Sequence, residues 1–268
     1  MNAITIGPLF LPLDRFIFLI AAILLFTVNT LLERRHKLSG SGLWIALAAG
    51  FGIGRLVHVV QYWPAYQSAP WEALYLWQGG YQVWSGLIAA LLSGFAWSRW
   101  HKQPIPIIIA PLVSGFVLWW GLMLAFGTNN VGAERHLPKI AVQNINGATL
   151  SVADLKGQAT VINLWATWCG PCRREMPTFQ RTQEQWPDIR FVFANQGEDA
   201  DTVSRFMKEH KLMLNNVVLD TRGELMNEFE SRGLPTTLFY DASGRLVAQE
   251  AGEMSAGRLS QYLSELSP

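Results

Sequence analysis

Charge is spread so unevenly along this chain that its two halves cannot share one solvent. Residues 1–132 hold three acids (Asp14, Glu33, Glu72) and seven bases, while residues 133–268 hold the other seventeen acids and fourteen bases. A half this poor in charge cannot form the surface of a water-soluble domain. It contains four apolar stretches, near residues 16–32, 43–63, 81–97 and 105–126. A helix needs about 20 apolar residues to cross the hydrocarbon layer, so four transmembrane spans are expected. Most of the twelve tryptophans lie in the same half, as expected for rings seated at membrane–water interfaces. The first stretch has no basic region before it and no small-residue cleavage site after it, so it reads as a retained anchor rather than a signal.

Loop charges set an expected orientation. Arg34, Arg35 and Lys37 follow the first stretch, and Arg99 and Lys102 follow the third. The connection between the second and third stretches carries Glu72 and no base. The positive-inside rule then places the basic loops in the cytoplasm and, with four spans, both termini outside. Arg55 and His58 lie one helical turn apart within the second stretch, where ionisable groups serve either bundle packing or function. Ala46, Gly50 and Gly54 make a row of small residues that lets another helix approach closely. Gly50-Phe51-Gly52-Ile53-Gly54 lacks the strand–turn–helix context of a nucleotide site.

Gly54-Arg55-Leu56, Tyr62, Pro70, Trp77-Gln78-Gly79-Gly80 and Ser85-Gly86-Leu87-Ile88-Ala89 together resemble the front half of prolipoprotein diacylglyceryl transferase. The resemblance covers about residues 8–102. Trp84 stands where that family's pattern has a histidine, and the later helices that supply its essential arginines are missing. The implied role is an anchor, or a surface that binds membrane lipids or docks a partner, rather than an active transferase.

The second half alternates β-rich apolar runs with helical segments, the pattern of an α/β domain. Strands are expected at residues 141–144, 149–152, 159–165, 189–194, 217–220, 236–240 and 246–250, with Asn146-Gly147 as a hairpin turn. Helices are expected at residues 172–186, 199–210, 224–230 and 255–266. The chain is thus divided into a membrane domain over residues 1–127, a linker over 128–138 and a soluble domain over 139–268.

The only two cysteines, Cys169 and Cys172, fall at a strand-to-helix junction in Trp168-Cys169-Gly170-Pro171-Cys172. A disulfide-stapled fold would use more cysteines, and a structural zinc site would need two further ligands. A redox pair is therefore the expectation, with no metal and no other cofactor. Helix N–H groups and the positive dipole end stabilise a thiolate on Cys169, the nucleophile. Cys172, one turn further in, resolves the mixed disulfide. Pro171 sits where its missing N–H costs nothing. In Gly233-Leu234-Pro235-Thr236-Thr237, a cis bond before Pro235 would expose the backbone of Leu234 beside Cys169 for a substrate strand.

The run from Asn163 to Pro177, with Asn195-Gln196-Gly197-Glu198 and Leu234-Pro235-Thr236-Thr237, resembles the TlpA/ResA type of thioredoxin-like protein over about residues 137–266. The implied fold is a thioredoxin-like α/β domain, a central mixed sheet flanked by helices, preceded by a four-helix transmembrane domain. The implied activity is extracytoplasmic disulfide reduction, with Cys169 and Cys172 catalytic and Trp168, Leu234 and Pro235 binding substrate. Asn163 stands where thioredoxin has a buried aspartate and cannot act as a base. Glu175 matches a glutamate used near the cysteines in this type, and in an apolar setting it could carry the proton of Cys172. Its alternative is a solvated first-turn acid. Glu198 is the weaker candidate, and Arg173 and Arg174 read as a solvated face.

The resemblance implies client proteins with disulfides as partners, of the cytochrome c maturation or metal-site assembly kind, at a bacterial inner membrane with the redox domain on the periplasmic side. The apolar stretches contain no cysteine, so a separate DsbD/CcdA-like transmembrane electron donor is expected, along with membrane lipids and no nucleic acid. Two rivals stand beside the reductase: a disulfide-forming oxidase, and a docking module for lipoprotein precursors whose thiol pair is protective.

Overall fold

The apolar stretches of the first half all form helices: α1 (Leu13–His36), α2 (Ser41–Gln61), α4 (Val83–Trp100) and α5 (Pro106–Leu122). These belong to a computed structural model that describes residues 3–6, 9–36, 41–127, 135–231 and 233–266. Most of the expected linker, residues 128–134, and Lys37 lie outside the described residues. Two short strands, β1 (Ala3–Ile6) and β2 (Leu9–Pro12), pair antiparallel ahead of α1.

Among the described residues, three helices are long and apolar enough to cross a membrane: Phe16–His36, Gly42–Gln61 and Pro106–Phe126. Four spans were expected, and α4 occupies the place of the third. It interleaves Ser85, Gly86, Ser93, Gly94 and Ser98 with its apolar residues and reaches Arg99 before it ends, which makes it less apolar than the others. Small residues fit α4 against α2: a Cβ on Gly86 would come within 2.8 Å of the Gly50 carbonyl. Arg55 and His58 are buried within this unit. Arg55 Nη1 donates to the Gly80 carbonyl at 2.9 Å, and the His58 ring packs on Tyr62 with centroids 4.8 Å apart.

The chain divides into two compact units. One comprises Asn2–Trp63 and Gly80–Asn130, the other Pro64–Gly79 and Val131–Pro268. The segment between α2 and α4, containing most of α3 (Trp63–Tyr66) and two short 3-10 turns at Pro70–Leu74 and Leu76–Gln78, therefore folds with the second unit.

The second unit is built on a seven-stranded mixed sheet. Its strands are β3 (Ala141–Asn144), β4 (Thr149–Ser151), β5 (Thr160–Trp165), β6 (Arg190–Gln196), β7 (Val217–Asp220), β8 (Thr236–Tyr240) and β9 (Leu246–Ala251), in the order β4-β3-β7-β6-β5-β8-β9. Strands β5, β6 and β7 run parallel, and β8, β9, β3 and β4 join antiparallel. All six residues of β5 are buried, as expected of a central strand covered on both faces. Side chains alternate along a strand, so Val161 and Trp165 point to one face and Ile162 and Leu164 to the other.

The first face packs on Met176 and Phe179 of α6 (Gly170–Gln185), Phe206 of α7 (Ala200–Glu209) and Leu259 and Leu263 of α9 (Ala256–Leu266). The second packs on Leu225 of α8 (Glu224–Glu228) and on Phe229. This is the thioredoxin-like architecture expected, and the expected strands and helices recur within a residue or two at their ends. Asn163 lies between Val161 and Trp165 in the sequence and shares their face, which α6 covers. The same alternation that builds the core thus aims one polar side chain at the active-site helix.

Candidate active site

Helix α6 starts where β5 runs out. Cys169 is its N-cap, with an extended backbone, and the Cys172 backbone N–H donates to Cys169 Sγ at 3.2 Å. A sulfur at this position receives one of the four N–H groups that a helix leaves without internal partners, in addition to the positive end of the dipole. Cys169 and Cys172 are joined as a disulfide. Cys169 is 4% exposed and Cys172 is fully buried, so only the first is within reach of another protein. Pro171 occupies the first turn of α6.

The loop that delivers Cys169 is held by Glu198. Its carboxylate accepts from the Thr167 backbone N–H at 2.7 Å, from the Thr167 hydroxyl and from Asn195 Nδ2 at 2.7 Å. A carboxylate clamped in this way is a positioning group, a use the sequence did not reveal. The neighbouring Trp168 is 69% exposed, an unusual state for so large an apolar ring. It forms one wall of an open groove of about 460 Å³, lined also by Gln196, Gly197, Arg222, Met226 and Leu234. The Leu234–Pro235 peptide is cis, and Leu234 packs against the cluster that contains both cysteines. Thus Trp168 and Leu234 meet at one groove.

Behind the cysteines lies Glu175, one helical turn beyond Cys172 and only 1% exposed. It is not the solvated first-turn acid of the alternative reading. Asn163 Nδ2 donates to Glu175 Oε1 at 3.0 Å and to Thr237 Oγ1 at 3.1 Å. The Met254 backbone N–H donates to Glu175 Oε2 at 3.3 Å. Burial pushes the Glu175 pKa up to about 8, against the two hydrogen bonds, which pull it down. The Asn163 contact depends on β5 being central, and the Met254 contact on the β9–α9 connection crossing the end of α6. Thr237 belongs to the Leu234-Pro235-Thr236-Thr237 motif, but its contact with Asn163 was not legible there, and no local pattern marks Met254.

Arg173 and Arg174 are both exposed, as expected of a solvated face, and each also has a specific neighbour. The Arg173 guanidinium sits 5.8 Å from the Phe206 ring, and Arg174 Nε donates to Glu253 Oε2 at 3.0 Å. Among the described residues no group of His, Cys, Asp and Glu side chains could hold a metal ion.

Comparison with known proteins divides the chain in the same manner as its composition. Residues 133–249 match the AhpC/TSA family, and residues 15–124 match prolipoprotein diacylglyceryl transferase. Thiol-disulfide oxidoreductase ResA of Bacillus subtilis (strain 168) is 28% identical over 144 residues, covering 53% of this chain and 80% of that protein. Sporulation thiol-disulfide oxidoreductase A of the same organism is 29% identical over 163 residues, covering 58% of this chain and 97% of that protein. The crystal structure of StoA from Bacillus subtilis is 30% identical, covers 47% of this chain and 99% of that one, and superimposes with a TM-score of 0.41.

A cysteine pair, joined as a disulfide and with its first member capping the helix that follows the central strand of a mixed sheet, defines a thioredoxin-like thiol–disulfide oxidoreductase. The second half of the chain is similar to ResA and to sporulation thiol-disulfide oxidoreductase A, and its first half to the diacylglyceryl transferase family.

Proposed function

We propose that this chain is a membrane-anchored extracytoplasmic reductase of client-protein disulfides, with Cys169 as nucleophile, Cys172 as resolver and Glu175 as proton carrier. The observation that supports it best is the pairing of a helix-capping Cys169, 4% exposed, with a fully buried Cys172 backed by a buried carboxyl. In the reduced protein the Cys169 thiolate attacks one sulfur of a client disulfide. A mixed disulfide forms and the other client sulfur leaves as a thiolate, which takes up a proton. Glu175 in its carboxylate form accepts the proton of Cys172, and the Cys172 sulfur then attacks Cys169 Sγ. The client's second thiolate leaves and is protonated. The product on the enzyme is the Cys169–Cys172 disulfide, and two electrons have passed to the client.

The groove at Trp168 and Leu234 is suited to an extended client segment, which would pair with backbone at Leu234 and Pro235. Recharging the disulfide calls for two electrons from outside the chain, because its only cysteines are the catalytic pair. A transmembrane dithiol donor of the DsbD/CcdA kind fits that requirement. Clients of the cytochrome c maturation or metal-site assembly kind are those the family likeness favours. The bases Arg34, Arg35, Lys37, Arg99 and Lys102 favour a bacterial inner-membrane topology with these loops in the cytoplasm. If α4 also crosses, as a fourth span, the redox unit faces the periplasm.

Redox potential separates this reading from its oxidase rival. A value near that of thioredoxin, about −270 mV, supports a reductase, and one near about −120 mV overturns it in favour of a disulfide-forming enzyme.

A further inference from the structure

The second unit contains one segment that no thioredoxin-like sheet needs, residues 64–79. Its polar side chains converge on the surroundings of Glu175. Gln78 Nε2 donates to Glu253 Oε1 at 2.7 Å, and the Tyr66 hydroxyl lies 3.5 Å from Ser255 Oγ. Glu253 and Ser255 are the two neighbours of Met254, the residue whose backbone N–H donates to Glu175. On the other side, Glu72 Oε1 accepts from Thr178 Oγ1 at 3.1 Å and pairs with Arg181 at 2.6 Å. Thr178 lies on α6 one turn beyond Glu175. The segment therefore grips both elements that converge on this carboxyl, the helix that carries it and the turn that donates to it.

We propose that residues 64–79 are a positioning strap, in which Gln78 above all holds the Glu253–Met254–Ser255 turn so that the Met254 N–H stays on the Glu175 carboxyl. The inference rests on the reading of Glu175 as the proton carrier of Cys172. Glu253 is 6% exposed in its side chain and is already paired with Arg174. Of its two oxygens, Oε2 takes the guanidinium and Oε1 takes Gln78, so the amide fixes the oxygen that Arg174 leaves over. Without Gln78 the Glu253 carboxylate keeps only the surface Arg174 as its side-chain partner, and a 3.3 Å hydrogen bond such as Met254 to Glu175 has little margin before it is lost.

The groups facing Glu175 are few. From β5 and β8 they are the neutral Asn163 and Thr237, from the β9–α9 connection Met254 and the charged Glu253, and from α6 Cys172 and Arg174. A hydrogen bond to the ionised form favours ionisation, so loss of the Met254 bond makes Glu175 harder to ionise.

The test is the pH dependence of disulfide exchange by the full-length, detergent-solubilised protein with insulin as the probe, measured for wild type, Gln78→Met, Gln78→Lys and Glu175→Gln. Gln78→Met should move the midpoint upward by roughly half a pH unit or more. Gln78→Lys restores a donor to Glu253 and should return the midpoint to the wild-type value or below. It also keeps the test open if Gln78→Met does not fold. An unchanged midpoint in Gln78→Met, or a raised one in Gln78→Lys, overturns the strap while leaving the role of Glu175 intact, provided Glu175→Gln abolishes the titration. If Glu175→Gln titrates as wild type does, the proton-carrier reading fails and the strap fails with it.

Discussion

Asn163 and Glu175 face each other across the interface between the central strand and the active-site helix, with the amide donating to the carboxyl at 3.0 Å. A neutral donor beside a buried acid leaves burial in control, which pushes the pKa up to about 8. An aspartate at the same place would share the site with a second charge. On the proposed mechanism this contact leaves Glu175 as the proton carrier behind the cysteines.

The first consequence is for stability. The folded pKa of Glu175 is raised above its ordinary value of 4.5 to about 8. The folded state then binds the proton more tightly than the unfolded chain, so stability falls as pH rises between these values and levels off above the folded pKa. Glu175→Gln removes the titration. In thermal melts its Tm relative to wild type should rise from pH 5 to about pH 8 and then level off. A constant offset across that range counts against a raised pKa.

Catalysis follows the same group. Release of client from the mixed disulfide should speed up with pH through a midpoint near 8 in wild type, as Glu175 becomes a base. In Glu175→Gln the release step should slow by about 10²-fold, the lower end of what a positioned base supplies. Rapid-quench trapping of the intermediate reads this step directly, and an unchanged release rate removes Glu175 from the mechanism.

Asn163→Asp should push the pair the other way. Two carboxyls sharing a buried site cannot both ionise readily, so one pKa rises strongly. The expected result is an exchange rate whose pH midpoint lies above that of wild type, with a Tm lowered most at alkaline pH. A midpoint lower than wild type would mean that the two side chains do not share protons.

How much of this was open to view in the sequence depends on the range over which each contact acts. The cap at Cys169, the first-turn Pro171 and the buried run of β5 are local patterns, and they appear where the residues alone placed them. The carboxyl cluster is different. Thr237 reaches Asn163 only through the pairing of β5 with β8, and Met254 reaches Glu175 from 79 residues away. Glu198 read as a weak proton carrier because its partner Thr167 lies 31 residues upstream. The attachment of residues 64–79 to the redox unit was hidden for the same reason, since Glu72 and Arg181 are 109 positions apart. Composition did not anticipate the weaker apolarity of α4, because glycine and serine suit helix packing in lipid as well as in water.

Glu198 gives a further prediction. Removing its carboxylate leaves the Thr167 N–H and the Asn195 amide without their partner. Glu198→Ala should lower stability by about 1–3 kcal/mol and speed amide exchange at Thr167, while the pH midpoint set by Glu175 stays in place. Urea unfolding with hydrogen-exchange mass spectrometry checks both. A shifted midpoint would return Glu198 to the proton-carrying role.

Trapping should identify clients. Cys172→Ser should accumulate mixed disulfides at Cys169, visible on non-reducing gels and assignable by mass spectrometry. The further change Cys169→Ser should abolish them. Adducts that persist without Cys169 would contradict its assignment as the nucleophile.

The most direct measurement is titration of the Cys169 thiolate by its ultraviolet absorbance in reduced Cys172→Ser protein. A sulfur capping α6 should ionise at least one unit below the free-thiol value of about 8.5. A midpoint at the free-thiol value would contradict the account, because the helix would then contribute nothing to the nucleophile.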